Sequence, residues 1–181
     1  MKATVLKTVG RSDPSRGFES RPLRHSEHSK LKGEVNMPVK PVPDGFHTVT
    51  PHFLVSDAKA FIGFLERAFG AVELHRSEMP DGKIMHAQCR IGDSVVMLAD
   101  VPPDHAATST MIYLYVPDAD AVFESAVTAG AKPLREPSDQ PYGDRAGGVE
   151  DAFGNQWWMA THIEDVTPEE IERRMKEGGH G

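Results

Sequence analysis

The chain is poor in several things, and each shortage excludes a class of protein. Among 181 residues there is one cysteine, Cys89. That rules out an intrachain disulfide and a cysteine-based zinc cluster, and it fits a reducing compartment, the cytoplasm. No stretch approaches the ~20 apolar residues of a membrane span, and the N-terminus lacks the apolar core of a signal peptide. Basic charge is also short. Lys and Arg number 20 against 27 Asp and Glu, a net charge of −7. Nucleic acid is therefore excluded as the main partner, since phosphate binding needs a basic face.

The charge is unevenly placed. Residues 1–36 carry eight Lys/Arg and four Asp/Glu, while the rest carries twelve against twenty-three. This first segment has few large apolar residues and no hydrophobic period after Leu6. It cannot bury enough surface to offset chain entropy, so it is expected to be a disordered extension. Met37 opens "MPVKPVPDGFHTV", which reads as a natural start. One domain is expected over 37–164, with a C-terminal helix and tail over 165–181.

The strongest positive signal is an internal repeat. "VSDAKAFIGFLERAFGA" (Val55–Ala71) matches "VPDADAVFESAVTAGA" (Val116–Ala131). Each opens on an aspartate suited to an N-cap, Asp57 or Asp118, and closes on a Gly-Ala pair, at Gly70 or Gly130. Phe61, Phe64, Leu65, Ala68 and Phe69 form a helical stripe, as do Val122, Phe123, Ala126 and Val127. After each helix come three strand-like runs, with turns at Pro80-Asp81-Gly82 and Asp151–Gly154. The unit is strand, helix and three strands, used twice with an offset of about 61 residues, over roughly 46–100 and 110–162. A last helix reads from "TPEEIERRMKEGG": Thr167 caps it, Glu170 completes a capping box, and it is assigned a docking role without chemistry.

A duplicated βαβββ unit carrying "HTVTPHFLVSDA", "RAFGAVELHR", "PDGKIMHAQCRIGDSVVMLAD" and "YGDRAGGVEDAFGNQW" resembles the vicinal oxygen chelate superfamily. That superfamily includes glyoxalase I, bleomycin-resistance proteins and extradiol dioxygenases. More closely the chain is similar to its PhnB-like branch. The resemblance implies an α+β fold whose two modules form a curved mixed sheet, a cup. It also implies homodimers, since single-chain members of this size commonly pair. In metal-dependent members, four side chains from the first and last strand of each module hold one divalent ion, a Lewis acid.

Counted back from the helix-start aspartates, those four positions are Thr50, Met97, Met111 and Trp158. None suits a hard or borderline cation: threonine binds weakly, thioether prefers soft copper, and tryptophan does not coordinate. No cofactor is therefore expected.

Strand alternation assigns the remaining faces. His47 and His52, five residues apart, point to opposite sides. His52 and Leu54 face the cup, while Phe53 and Val55 meet the helix. His86, Gln88 and Arg90 face the cup, while Met85, Ala87 and Cys89 belong to the core. Tyr113, Tyr115, Gln156, Trp158, Ala160 and His162 also face the cup, and Trp157 and Met159 the core. Cys89, buried by this pattern, reads as inert. The "YGDR" loop, Tyr142–Arg145, would rim the cup, with a structural Asp144–Arg145 pair. Glu150 would reach the mouth.

These residues support three functional readings. An apolar, polarizable lining of Thr50, Met97, Met111, Tyr113, Tyr115 and Trp158, with Glu150 at its edge, suits a planar or amphipathic small molecule that is bound without chemistry. The alternative is a metal-dependent lyase or dioxygenase with a non-standard divalent site at His52, His86 and Glu150. Against it, the spacing belongs to no recognised motif, and three polar residues on a solvated concave face are the favoured explanation of the pattern. The third reading is a metal-free enzyme with His52 or His86 as catalytic base.

Overall fold

The structure, a computed structural model, describes residues 39–178; the segment 1–36 lies outside that range. The described residues form β1 (His52–Val55), α1 (Ala58–Phe69), β2 (Val72–Glu78), β3 (Ile84–Ile91) and β4 (Ser94–Asp100). The same order follows in β5 (Met111–Tyr115), α2 (Ala119–Thr128), β6 (Lys132–Asp139), β7 (Asp144–Glu150) and β8 (Gln156–His162), and α3 (Pro168–Gly178) ends it. The fold is α+β, built from the two expected βαβββ modules. Each makes its own four-stranded sheet, ordered β1-β4-β3-β2 and β5-β8-β7-β6. No helix among the described residues is long and apolar enough to cross a membrane.

The repeat is reproduced in its local chemistry. Asp57 accepts from the Ala60 amide at 2.8 Å and Asp118 from the Ala121 amide at 3.0 Å, capping α1 and α2. Gly70 ends α1 in the left-handed conformation at φ 62°, where a Cβ would be strained. Each helix start is also tied to the last strand of its module. Asp100 accepts from the Ala58 amide, and the Thr161 hydroxyl, 61 positions further on, accepts from the Ala119 amide. First and last strands pair in parallel in both modules, His52 beside Met97 and Tyr113 beside Trp158. A parallel pair needs a crossover, and the intervening helix and strands supply it.

The core lies on the helix side of both sheets. Phe53 of β1 stacks on Trp157 of β8 with ring centroids 5.5 Å apart, and Phe69 of α1 meets the same indole at 4.7 Å. Phe53, Phe61, Leu65, Leu98, Trp157 and Met159 are all buried. Each such side chain contributes roughly 1.5–3 kcal/mol by burial. The modules are joined through this shared core. The opposite faces of the two sheets remain open, and the exposed side chains of Met111, Tyr113 and Tyr115 lie there.

One core assignment fails. Met85 is 60% exposed, and Ile84 takes the buried place. Ser77 pairs with His86 and Glu78 with Ile84, so Met85 is the extra residue of a β-bulge. A bulge breaks the period of two on which the assignment rests.

Candidate functional site

The two open faces are built alike, row for row. On the first sheet a row crosses all four strands: His52, Met97, Gln88, His75. On the second the equivalent row is Tyr113, Trp158, Gly148, Arg135. The neighbouring rows of the second sheet are Met111, Gln156, Glu150, Lys132 and Tyr115, Ala160, Ala146, Ser138.

The first face is a histidine surface. The His52 and His86 rings meet edge-on with centroids 6.0 Å apart. The Gln88 amide donates to His86 Nε2 at 3.2 Å. Partial burial, then the neighbouring His86, holds the His52 pKa below the usual histidine range, so His52 is neutral at pH 7. His75 bonds Ser77 at 3.1 Å. Alternation does not single out His75, because β2 also carries a bulge, between Glu73 and His75.

The second face is aromatic. Tyr113 and Tyr115 lie with ring centroids 5.4 Å apart. Trp158 lies flat over Gly148: an added Cβ there would sit 2.9 Å from the indole carbons Cδ2 and Cε2. Any side chain at 148 would lift the ring. Gly148 lets the indole pack closely, and the Arg135 guanidinium lies over the ring at 4.7 Å from its centroid. The Trp158 Nε1–H is buried and has no hydrogen-bond partner. Buried donors are rarely left so, and such an orphan marks a place where a partner is missing.

At one end of this face stands a polar cluster. Asp144, 3% exposed, accepts from the Tyr115 hydroxyl at 3.0 Å and binds His162 Nδ1 at 2.8 Å. His162 Nε2 meets Asp165 at 3.1 Å. Carboxylates only accept, so the imidazolium alone satisfies both contacts. Hydrogen bonds to Asp144, then Asp165, raise the His162 pKa accordingly. The expected Asp144–Arg145 pair does not form: neighbours on a strand face opposite ways, and Arg145 instead binds Asp120 at 2.6 Å and Asp139 at 3.0 Å.

A raised histidine pKa adds stability that is complete below the unfolded value of ~6.5 and is lost as pH rises through the native one. The stability gap between wild type and His162→Gln in urea should therefore be larger at pH 5.5 than at pH 8.5. An equal gap at both would show that His162 gains nothing from the carboxylates.

Thr50 precedes β1, and its hydroxyl donates to the His47 carbonyl at 3.0 Å. Met97 and Trp158 stand mid-row, and Met111 is 67% exposed on the edge strand β5. Glu150 lies on the second sheet and His52 and His86 on the first, and among the described residues no three His, Cys, Asp or Glu side chains converge. The four family positions do not fit a divalent ion either. The indole of Trp158 offers a donor where a ligand needs a lone pair, and the Thr50 hydroxyl is directed to the backbone. Cys89 is fully buried, and burial pushes its thiol up to about 11, which keeps it un-ionised. Arg135 is not legible as a site residue from sequence, since β6 is irregular on both sides of it.

Tandem βαβββ modules, each a four-stranded mixed sheet with one open face, define the class of fold. The pattern of the Glyoxalase family, described as the Glyoxalase/Bleomycin resistance protein/Dioxygenase superfamily, matches residues 45–159. The chain belongs to this superfamily. It is 39% identical over 144 residues to the uncharacterized protein Mb0911c of Mycobacterium bovis, spanning 74% of this chain and 95% of that one. Among solved structures it is similar to TioX from Micromonospora sp. ML1, with a TM-score of 0.56 and 26% identity, covering 65% of this chain and 99% of that one. A glyoxalase-related enzyme from Fulvimarina pelagi shares the fold at a TM-score of 0.52 and 18% identity, covering 67% and 97%.

Proposed function

We propose that this protein is a cytoplasmic, homodimeric small-molecule binder of the PhnB-like branch, and that its ligand is a planar, amphipathic compound held at Trp158. The observation that supports this best is the unpartnered, buried Nε1–H of Trp158 in a row with Tyr113 and Arg135. A flat molecule against this row gains stacking area and supplies the missing acceptor. Thr50, Met97, Met111, Tyr113, Tyr115 and Glu150 are assigned to the lining around it.

The same geometry supports a dimer. One chain has two half-cups, each open, with exposed Met111, Tyr113 and Tyr115 on one of them. A second copy that lays its His52–Met97–Gln88 row over the Tyr113–Trp158 row encloses the ligand and covers these side chains. Light scattering at micromolar concentration should give twice the chain mass, and Trp158→Ala should weaken ligand binding roughly tenfold or more, one decade being 1.4 kcal/mol. A monomer, or unchanged binding in the variant, speaks against the reading.

A second reading rests on His52 and His86. A neutral imidazole beside another is equipped to take a proton from a bound substrate, so metal-free acid–base chemistry is the alternative. The metal-dependent lyase or dioxygenase reading finds no fitting donor set among the described residues, and no step is derived through a metal.

A further inference from the structure

We infer that the ligand is a planar aromatic carboxylate and that Arg135 is the residue that reads its charge. This rests on the reading of the Trp158 row as the ligand site.

Of the charges on the second face, Arg135 is the one laid on an aromatic ring. Lys132 and Glu150 are cross-strand partners in register. Asp144 is held by Tyr115 and His162. Among the described residues Arg135, like Arg67 and Arg90, makes no ion pair, whereas Arg76, Arg145, Arg173 and Arg174 each have one. Its guanidinium lies on the Trp158 ring instead. Such a cation keeps the donor edge of its planar fork free, and that edge fits a carboxylate with two parallel hydrogen bonds.

The other polar handles nearby are donors as well. The Trp158 Nε1–H can only donate, and it lacks an acceptor. Partial burial and the neighbouring Tyr142 raise the Tyr113 pKa, so its hydroxyl keeps its proton and can both donate and accept. The unpartnered indole N–H calls for an acceptor on the ligand. The first-sheet face agrees: its central row is His52, Met97, Gln88 and His75, with Arg90 in register with Val72 and Val95 nearby, and none of these is a carboxylate.

Binding is then an exchange. In the free protein the guanidinium lies over the indole. When the ligand binds, its ring takes a stacked place in the row, its carboxylate engages the fork of Arg135, and an oxygen accepts from Nε1–H. Arg135 loses an indole contact and gains a charge-assisted pair. A neutral isostere of the same ring gains the stacking and loses the pair.

The test uses the full chain and two matched pairs of probes, 2-naphthoate with 2-naphthamide and anthracene-9-carboxylate with its amide, measured by isothermal titration calorimetry. Wild type should bind each acid at least tenfold more tightly than its amide. Arg135→Gln should erase that preference while still binding the amides, and Arg135→Lys should restore part of it. Trp158→Phe, which keeps a ring and removes the N–H, should weaken the acids severalfold. Thermal melting confirms that the variants fold. Equal binding of acid and amide by wild type, or a preference that survives Arg135→Gln, overturns the charge-reading role while leaving the planar-ligand reading standing. Failure of all four probes to bind overturns both.

Discussion

Trp157→Ala should lower the stability of the fold by about 3–5 kcal/mol, the range for removing a fully buried large aromatic side chain. Trp157 is 0% exposed, and its indole is the piece that joins the two modules. It touches Phe53 at 5.5 Å and Phe61 at 6.4 Å between centroids, both in the first module, and Phe69 at 4.7 Å. The loss therefore falls on the seam between modules. In a domain of this size a deficit of that magnitude corresponds to a melting point lower by roughly 10 °C. The neighbouring Trp158→Ala removes a half-buried ring from an open face and should cost far less. Thermal and urea unfolding of the two variants side by side check this, and equal losses would mean that the final strand faces the other way.

Asp151→Ala is expected to be comparably damaging, although it sits in what reads as an ordinary turn. Asp151 is 5% exposed. One carboxylate oxygen accepts from the Phe153 amide at 2.8 Å and the Asn155 amide at 2.9 Å. The other accepts from the Asn155 side chain at 3.0 Å and from Trp157 Nε1 at 2.8 Å. Asn155 in turn accepts from the Thr110 amide at 3.1 Å, which ties the turn to the start of β5. Alanine removes the acceptor and leaves several buried donors without one, at about 1–3 kcal/mol each. A net loss of about 3 kcal/mol or more in urea unfolding is the expected result. Because Asp151 and Trp157 share a hydrogen bond, the losses in the Asp151→Ala/Trp157→Ala double variant should fall short of the sum by roughly 0.5–3 kcal/mol. Strict additivity would show that the bond carries nothing.

What the chain order makes legible, and what it hides, follows from these residues. The helix caps at Asp57 and Asp118 are local signals, and both hold because a cap is satisfied within three residues. The split between Trp157 and Trp158 is readable because β8 runs through them without a bulge. Where strands are irregular, alternation misleads: Met85 reads as core and is exposed, and Arg135 and His75 receive no assignment at all. The Tyr115–Asp144–His162 cluster joins three strands, and the links from Asp144 span 29 and 18 residues, so no local pattern announces it. Asp151 looks like a turn residue, and its role as a hub emerges once Trp157 is seen to point back at it. The orphaned Trp158 Nε1–H is likewise a property of packing, since it depends on Gly148 and Arg135 closing around the ring.

The two tryptophans of the chain make the central claim directly measurable. Trp157→Phe keeps Trp158 as the sole indole, and Trp158→Phe keeps Trp157. Each variant is titrated with planar, amphipathic compounds while its fluorescence is recorded. A ligand seated on the open side of the row, beside Tyr113 and Arg135, should quench or shift the emission of the variant that retains Trp158 and leave the variant that retains Trp157 unchanged. A response that follows Trp157, or none from Trp158 with any compound, would contradict a ligand site on this face.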